Sequence, residues 1–135
     1  IVKGRFEEQS GTLTYTLGKE KGIRGRSVTV DGQNCITNYE VIIEGNFFSL
    51  IKVHIETGRL HQIRAGMAYF GHPLIGDRLY GGSMHAMKRP ALHCWKVEFV
   101  HPKTKQRIII QCDLPEDMQK IVAKLQEGAT TSKDL

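Results

Sequence analysis

Residues 56–81 read ETGRLHQIRAGMAYFGHPLIGDRLYG and carry the strongest local signals in the chain. Thr57-Gly58 interrupts a preceding strand, and residues 60–70 place apolar side chains at helical spacing, so we predict a short helix there. Gly71-His72-Pro73 ends the helix, because proline disfavours helical geometry at the residue before it. The predicted apolar stripe of this helix is Leu60, Ile63, Met67 and Phe70.

Strand patterns precede this segment. Residues 35–43 and 47–57 are rich in β-branched and aromatic side chains, and Gly45-Asn46 between them suits a tight hairpin turn. Apolar and polar residues alternate along the second of these segments, which indicates a strand with one solvent face. Two shorter strands are predicted at 11–17 and 27–30.

A second hairpin and a helix are predicted after this segment. Residues 92–100 and 106–112 form the hairpin, and the helix begins near residues 114–116, where proline and carboxylates suit a first turn. The apolar stripe of this helix is Met118, Ile121, Val122 and Leu125. We expect an α+β domain over residues 1–128, mainly antiparallel sheet with two short helices, and a flexible polar tail at 129–135.

The composition favours contact with a polyanion and argues against metal and membrane binding. The 135 residues carry a formal net charge of +5, which favours contact with a polyanion, although a solvated basic surface is the alternative explanation. The three cysteines are far apart and the six histidines show no HxxxH grouping, so no metal site is expected. No apolar run approaches the roughly 20 residues that span a bilayer, and we expect a cytoplasmic protein without membrane contact.

The order TGRxHQ(I/L)R, short helix, GHP and GDxxYG resembles the signature of the RluA-type RNA pseudouridine synthases. The flanks agree with this resemblance. Residues 1–4 resemble the strand that follows the family's conserved tyrosine, residues 37–41 (TNYEV) resemble its TxYxV strand, and Leu92-His93 with His101-Pro102 resembles its closing hairpin. One departure is Gly66, which stands where family members usually carry histidine.

The resemblance implies an isomerase that acts on ribosomal or transfer RNA. Such enzymes flip a uridine out of RNA, a catalytic aspartate attacks the nucleoside, the glycosidic bond breaks, and the uracil rejoins through carbon. No metal or organic cofactor takes part. By the family's pattern Arg64 pairs with that aspartate, since a guanidinium keeps an enclosed carboxylate ionised and orients it. The alternative for Arg64 is an ordinary surface arginine on a helix.

The family carries its catalytic aspartate in an HRLDxxTSG-like segment, and no such segment occurs in these 135 residues. We therefore expect the C-terminal part of a catalytic domain, inactive alone, that supplies the arginine side of the active site. The N-terminal part of the same domain is then its partner, and exposed apolar surface favours self-association of the isolated chain. The alternative is a non-catalytic RNA-binding module that kept the fold.

Four further residues are candidates for contact with RNA or a nucleotide. Arg59, His61 and Gln62 lie at the start of the predicted helix, where the first turn favours anions, and Tyr80 offers a ring for base stacking. Structural support of the turns is the alternative for these residues. Asp77 belongs to the GDxxYG segment, and we expect it to have a turn or hydrogen-bonding role rather than to act as a nucleophile.

A glycine-punctuated basic loop over residues 18–26 supplies cations for the RNA backbone, with a solvated loop as the alternative. Its candidate phosphate contacts are Lys19, Lys21, Arg24 and Arg26. Lys88 and Arg89 are similar candidates later in the chain.

Overall fold

The structure is a computed structural model that describes residues 1–20 and 24–128. Its elements are β1 (Val2–Lys3), β2 (Ser10–Gly18), β3 (Ser27–Val28), β4 (Gln33–Glu44), β5 (Phe48–Ile55), α1 (Gln62–Tyr69), β6 (Lys96–Val100), β7 (Arg107–Gln111) and α2 (Glu116–Gln126). The first five strands form one sheet in the order β1-β5-β4-β2-β3, and β6 pairs with β7. All described pairings are antiparallel, so the α+β prediction is confirmed. Two predictions, for Lys21 and for the tail at 129–135, lie outside the described residues.

The β4-β5 hairpin forms the middle of the sheet. Tyr39 pairs with Val53 and Val41 with Ile51, and a bulge follows Val41. Both predicted strands are present, with ends that differ from the prediction by at most two residues. In the alternation along β5, Leu50 falls on the predicted solvent face with Lys52 and His54. It is nevertheless partly buried, packed against a core cluster that includes side chains of α2.

Helix α1 is shorter than predicted. Residue His61 has a positive φ of 57°, which an α-helix does not allow, so the helix begins at Gln62. Leu60 therefore lies outside the helix and is 59% exposed, and Phe70 caps the other end at 39% exposed. The predicted apolar stripe is wrong at these two ends and is confirmed at Met67, which is 1% exposed.

Apolar side chains from both helices build the core. One cluster contains three residues of the predicted α2 stripe, which are Met118, Ile121 and Leu125. They are buried together with Ile1, just before β1, and Phe48 of β5. The other clusters join α1 to the sheet, and their buried members are Val2, Phe6, Tyr15, Leu17, Cys35, Ala65, Met67 and Leu74. The sheet therefore positions α1 and its Arg64.

The β6-β7 hairpin is amphipathic. Val97 pairs with Ile110 and Phe99 with Ile108, so these side chains share one face, while the opposite face carries the Glu98–Arg107 ion pair. Val97, Phe99 and Ile110 are 41–55% exposed. The apolar face of the hairpin is thus largely open to solvent. Over residues 1–20 and 24–128, no helix is long and apolar enough to cross a membrane.

Candidate active-site cleft

A buried glutamine fixes the segment that leads into α1. The Gln62 side chain is bonded through both of its polar atoms: Oε1 accepts from the Thr57 hydroxyl at 2.9 Å and from the Arg59 backbone N–H at 3.0 Å. Its Nε2 donates to the Ile36 carbonyl at 3.1 Å and to Thr37 Oγ1 at 2.9 Å. With Gln62 only 3% exposed, these bonds tie the turn before α1 to strand β4.

A tyrosine ring fills the space beside Gly66. The Tyr15 hydroxyl donates to the Gln62 carbonyl at 2.8 Å and lies 2.9 Å from Thr37 Oγ1. A Cβ at residue 66 would lie 2.1 Å from the Tyr15 Oη, closer than any real contact allows. The glycine that departs from the family pattern is therefore the residue that lets this ring pack against the helix. Burial of its ring raises the pKa of Tyr15.

Arg64 and Asp77 form a two-point ion pair. The Nε of Arg64 lies 2.8 Å from Oδ2 of Asp77, and Nη2 lies 2.9 Å from Oδ1. Asp77 is fully buried and the Arg64 side chain is 22% exposed. Hydrogen bonding to this carboxylate raises the pKa of Arg64 further, so the guanidinium keeps its charge. The paired geometry leaves Nη1 outside these two bonds and fixes the plane of the guanidinium.

The Asp77 backbone also closes a turn. Its carbonyl accepts from the Gly82 N–H at 2.7 Å, and its N–H donates to the Leu74 carbonyl at 3.2 Å. The predicted turn and hydrogen-bonding role of Asp77 is thereby confirmed. Because the Asp77 carboxylate is fully buried and both of its oxygens face Arg64, it offers no accessible oxygen for attack on a substrate.

Tyr80 joins the basic loop to the start of α1. Its hydroxyl accepts from the Arg26 N–H at 2.8 Å and lies 2.9 Å from Nδ1 of His61, while the Arg64 guanidinium lies 5.3 Å from the ring centroid. Burial, and next the charge of Arg64, lower the pKa of His61. In the neutral form of His61 the tautomer decides whether Nδ1 or the Tyr80 hydroxyl donates this hydrogen bond. Gly25 packs against the same hydroxyl, since a Cβ there would lie 2.6 Å from it.

A cavity of about 570 Å³ opens beside the ion pair. Its charged lining consists of Arg24, Arg64, Asp77, Arg78 and Lys88. Asp77 is the one carboxylate among these described lining residues, and it is already bound to Arg64. The cleft is therefore strongly positive, an environment that attracts anions.

The structure brings together some of the predicted site residues and separates others. Arg64, His61, Tyr80, Arg24 and Arg26 cluster around the cleft and the loop beside it. The guanidinium of Arg59 instead donates to the Asn34 carbonyl at 3.1 Å, at the sheet, and Lys19 is exposed at the end of β2.

Sequence reasoning left three residues of the cleft without an assigned place in it. Asp77 was expected only to support a turn, Lys88 was a candidate RNA-backbone contact with no location, and Arg78 was not singled out. The available signal was the GDxxYG segment, because a buried aspartate needs a cation and Arg64 lies nearby in the sequence. Within the described ranges, no group of three or more potential ligands could hold a metal ion.

Comparison with known proteins identifies relatives of this chain. Residues 1–69 match the family described as RNA pseudouridylate synthase. The chain is 39% identical over 123 residues to the uncharacterized RNA pseudouridine synthase YjbO of Bacillus subtilis, and the match covers 90% of this chain and 44% of that protein. It is 30% identical to the ribosomal large subunit pseudouridine synthase D of Blochmanniella floridana, over 94% of this chain and 45% of that one. The chain thus spans just under half the length of these relatives.

Two solved structures share the fold. The human RNA pseudouridylate synthase domain containing 1 superposes with a TM-score of 0.69 at 18% identity, over 99% of this chain and 64% of that one. The human RNA pseudouridylate synthase domain containing 4 gives a TM-score of 0.71 at 16% identity, over 93% and 59%.

Proposed function

Because the chain belongs to the RluA-type RNA pseudouridine synthase family, we propose that it supplies the arginine side of an active site that isomerises uridine in RNA to pseudouridine. The observation that carries this proposal is the two-point bond between Arg64 and the buried Asp77 at the edge of a positive cleft. A guanidinium held in this way keeps both its charge and its direction.

Arg64 is the proposed partner of the catalytic aspartate. Asp77 binds Nε and Nη2, so Nη1 remains for a second carboxylate. An aspartate at that position would be held ionised and oriented for attack on the nucleoside. Asp77 acts here as a positioning residue, because it restricts the rotation of Arg64 without touching the substrate.

The RNA surface is proposed from the residues around the cleft. Arg24, Arg26 and Lys19, with Lys21 outside the described residues, would contact phosphates, and His61 and Tyr80 would border the flipped nucleotide. Arg59 is proposed to lie further along the same surface. Gln62 is excluded from this set, since its carboxamide is buried and fully bonded within the protein.

We further propose that the 135 residues have no turnover unless an HRLD-like segment is supplied. The test is tritium release from RNA that carries uridine labelled at C5, because the new carbon–carbon bond replaces the C5 hydrogen. The chain alone is compared with a chimera in which the region of YjbO that precedes the match is fused before Ile1. Turnover by the chain alone would contradict the proposal.

A matched pair of variants tests Arg64 within the chimera. Arg64→Gln is expected to abolish release. Arg107→Gln on the β6-β7 hairpin is expected to leave it unchanged, because among the described residues that guanidinium pairs only with Glu98. RNA binding without release by the unmodified chimera would instead favour the non-catalytic RNA-binding module.

A further inference from the structure

We propose that Arg24, Arg78 and Lys88 form a phosphate clamp at the mouth of the cavity, which holds the backbone phosphates on either side of the target uridine. This inference rests on the proposed function; it adds Arg78 to the candidate phosphate contacts and places it with Arg24 and Lys88 in one site. All three side chains line the same cavity as Arg64 and Asp77.

The three cations lack acidic partners. Six other Lys and Arg side chains among the described residues lie within 4.0 Å of a carboxylate; they are Arg5, Arg64, Arg89, Lys96, Arg107 and Lys120. Within residues 1–20 and 24–128, no carboxylate lies that close to Arg24, Arg78 or Lys88. Asp77 lines the same cavity, but both of its carboxylate oxygens are bound to Arg64. Like charges gathered in one cleft repel each other, and a polyanion relieves that repulsion.

Each cation of the clamp is tied to an ordered part of the protein. Arg24 precedes Gly25, which packs on the Tyr80 hydroxyl, and the next N–H in the loop donates to that same hydroxyl. Arg78 directly follows the buried Asp77. Lys88 donates through its ammonium to the carbonyl of Met84, which also lines the cavity. The backbone at Arg24 and Arg78 and the side chain of Lys88 are thus restrained, which lowers the entropy cost of phosphate binding.

The structure also separates Lys88 from its neighbour in sequence. Arg89 makes a two-point bridge to Asp117 on α2, with distances of 3.0 and 2.8 Å. The Arg89 charge therefore holds α2, whereas the Lys88 ammonium contacts only the Met84 carbonyl within the part of the chain that the structure describes. Of these two adjacent residues, Arg89 therefore stabilises the fold and Lys88 lines the cleft.

The test measures how RNA affinity depends on salt. Fluorescein-labelled, uridine-containing single-stranded RNA is titrated with the 135-residue chain, and fluorescence anisotropy gives the Kd at several salt concentrations. Each phosphate contact contributes roughly 0.7 to the slope of log K against log salt for a single strand. The double variant Arg78→Gln/Lys88→Gln is therefore expected to reduce the slope by about 1.4.

A charge-matched control removes two cations elsewhere. Lys103 and Lys124 are exposed, lie outside the cavity, and have no acidic partner within the described residues. The double variant Lys103→Gln/Lys124→Gln is expected to keep the wild-type slope to within about 0.3, well below the roughly 0.7 of one phosphate contact. Equal slopes for the two double variants would overturn the clamp.

The outcomes separate the clamp from the proposed function. If the slope falls for Arg78→Gln/Lys88→Gln and not for Lys103→Gln/Lys124→Gln, the clamp is supported. If the chimera then releases no tritium, only the isomerase proposal is contradicted. Tritium release by the chimera with equal slopes for both variants overturns the clamp and leaves the function. No detectable RNA binding by the wild-type chain at low salt overturns the clamp as well.

Discussion

The substitution Gly66→Ala tests how α1 is held to the sheet. Propensity alone predicts a gain, since alanine within a helix is favoured over glycine by about 1 kcal/mol. The tertiary structure predicts a loss, because the new Cβ would lie 2.1 Å from Oη and 2.3 Å from Cζ of Tyr15. The two arguments give opposite signs for the change in the free energy of unfolding.

The size of the loss follows from what Tyr15 must give up. Moving the ring away strains a packed core, at about 1–3 kcal/mol, and breaks its buried hydrogen bonds, at about 1–2 kcal/mol. After the helix propensity gain of about 1 kcal/mol is subtracted, we expect Gly66→Ala to destabilise the chain by roughly 1–4 kcal/mol. Urea denaturation followed by circular dichroism measures this change.

Two controls accompany the measurement. Gly58→Ala adds the same methyl group where no atom lies within 4 Å, and it should stay within about 1 kcal/mol of wild type. In a Tyr15→Leu background the clashing atoms are gone, so Gly66→Ala should there stabilise by up to about 1 kcal/mol. An increase in stability from Gly66→Ala in the wild-type background would refute the packing argument.

Two other predictions concern charge and surface. Asp77→Asn should destabilise by roughly 2–3 kcal/mol, because it weakens a buried ion pair. Asp117→Asn should destabilise clearly less, because its bridge has the same two-point geometry but is exposed; equal losses in thermal denaturation would show that burial is unimportant. The isolated chain should self-associate in light scattering, and Phe99→Thr on the apolar face of the β6-β7 hairpin should weaken this more than Val100→Thr on the opposite face, whereas a wild-type monomer at high concentration would count against it.

The periodicity of apolar residues in the sequence was sufficient to predict the elements that bury one regular face. The α2 stripe of Met118, Ile121 and Leu125 is buried as its spacing predicts, and the strands of the β4-β5 hairpin lie where β-branched residues alternate. In these segments the periodicity of the side chains and the periodicity of burial coincide, because each element packs with one face against one neighbour. The motif from residue 56 to residue 81 likewise placed Arg64 on a short helix.

Contacts between distant residues decided the parts that local pattern missed. The start of α1 depends on Gln62, whose partners on β4 lie 25 and 26 residues earlier in the chain. The packing at Gly66 depends on the Tyr15 ring of β2. Helix propensity alone predicts that a glycine at this position lowers stability.

The sequence by itself therefore determined the family, the α+β class and the arginine of the site, because these follow from residue order and local spacing. Only the tertiary structure showed that Arg64 is bound to Asp77 and that Arg78 and Lys88 share its cavity. The physical reason is that a buried ion pair and an unpaired cation are defined by their neighbours in space. Those neighbours come from α1 and from loops, and separation along the chain does not fix the distances between them.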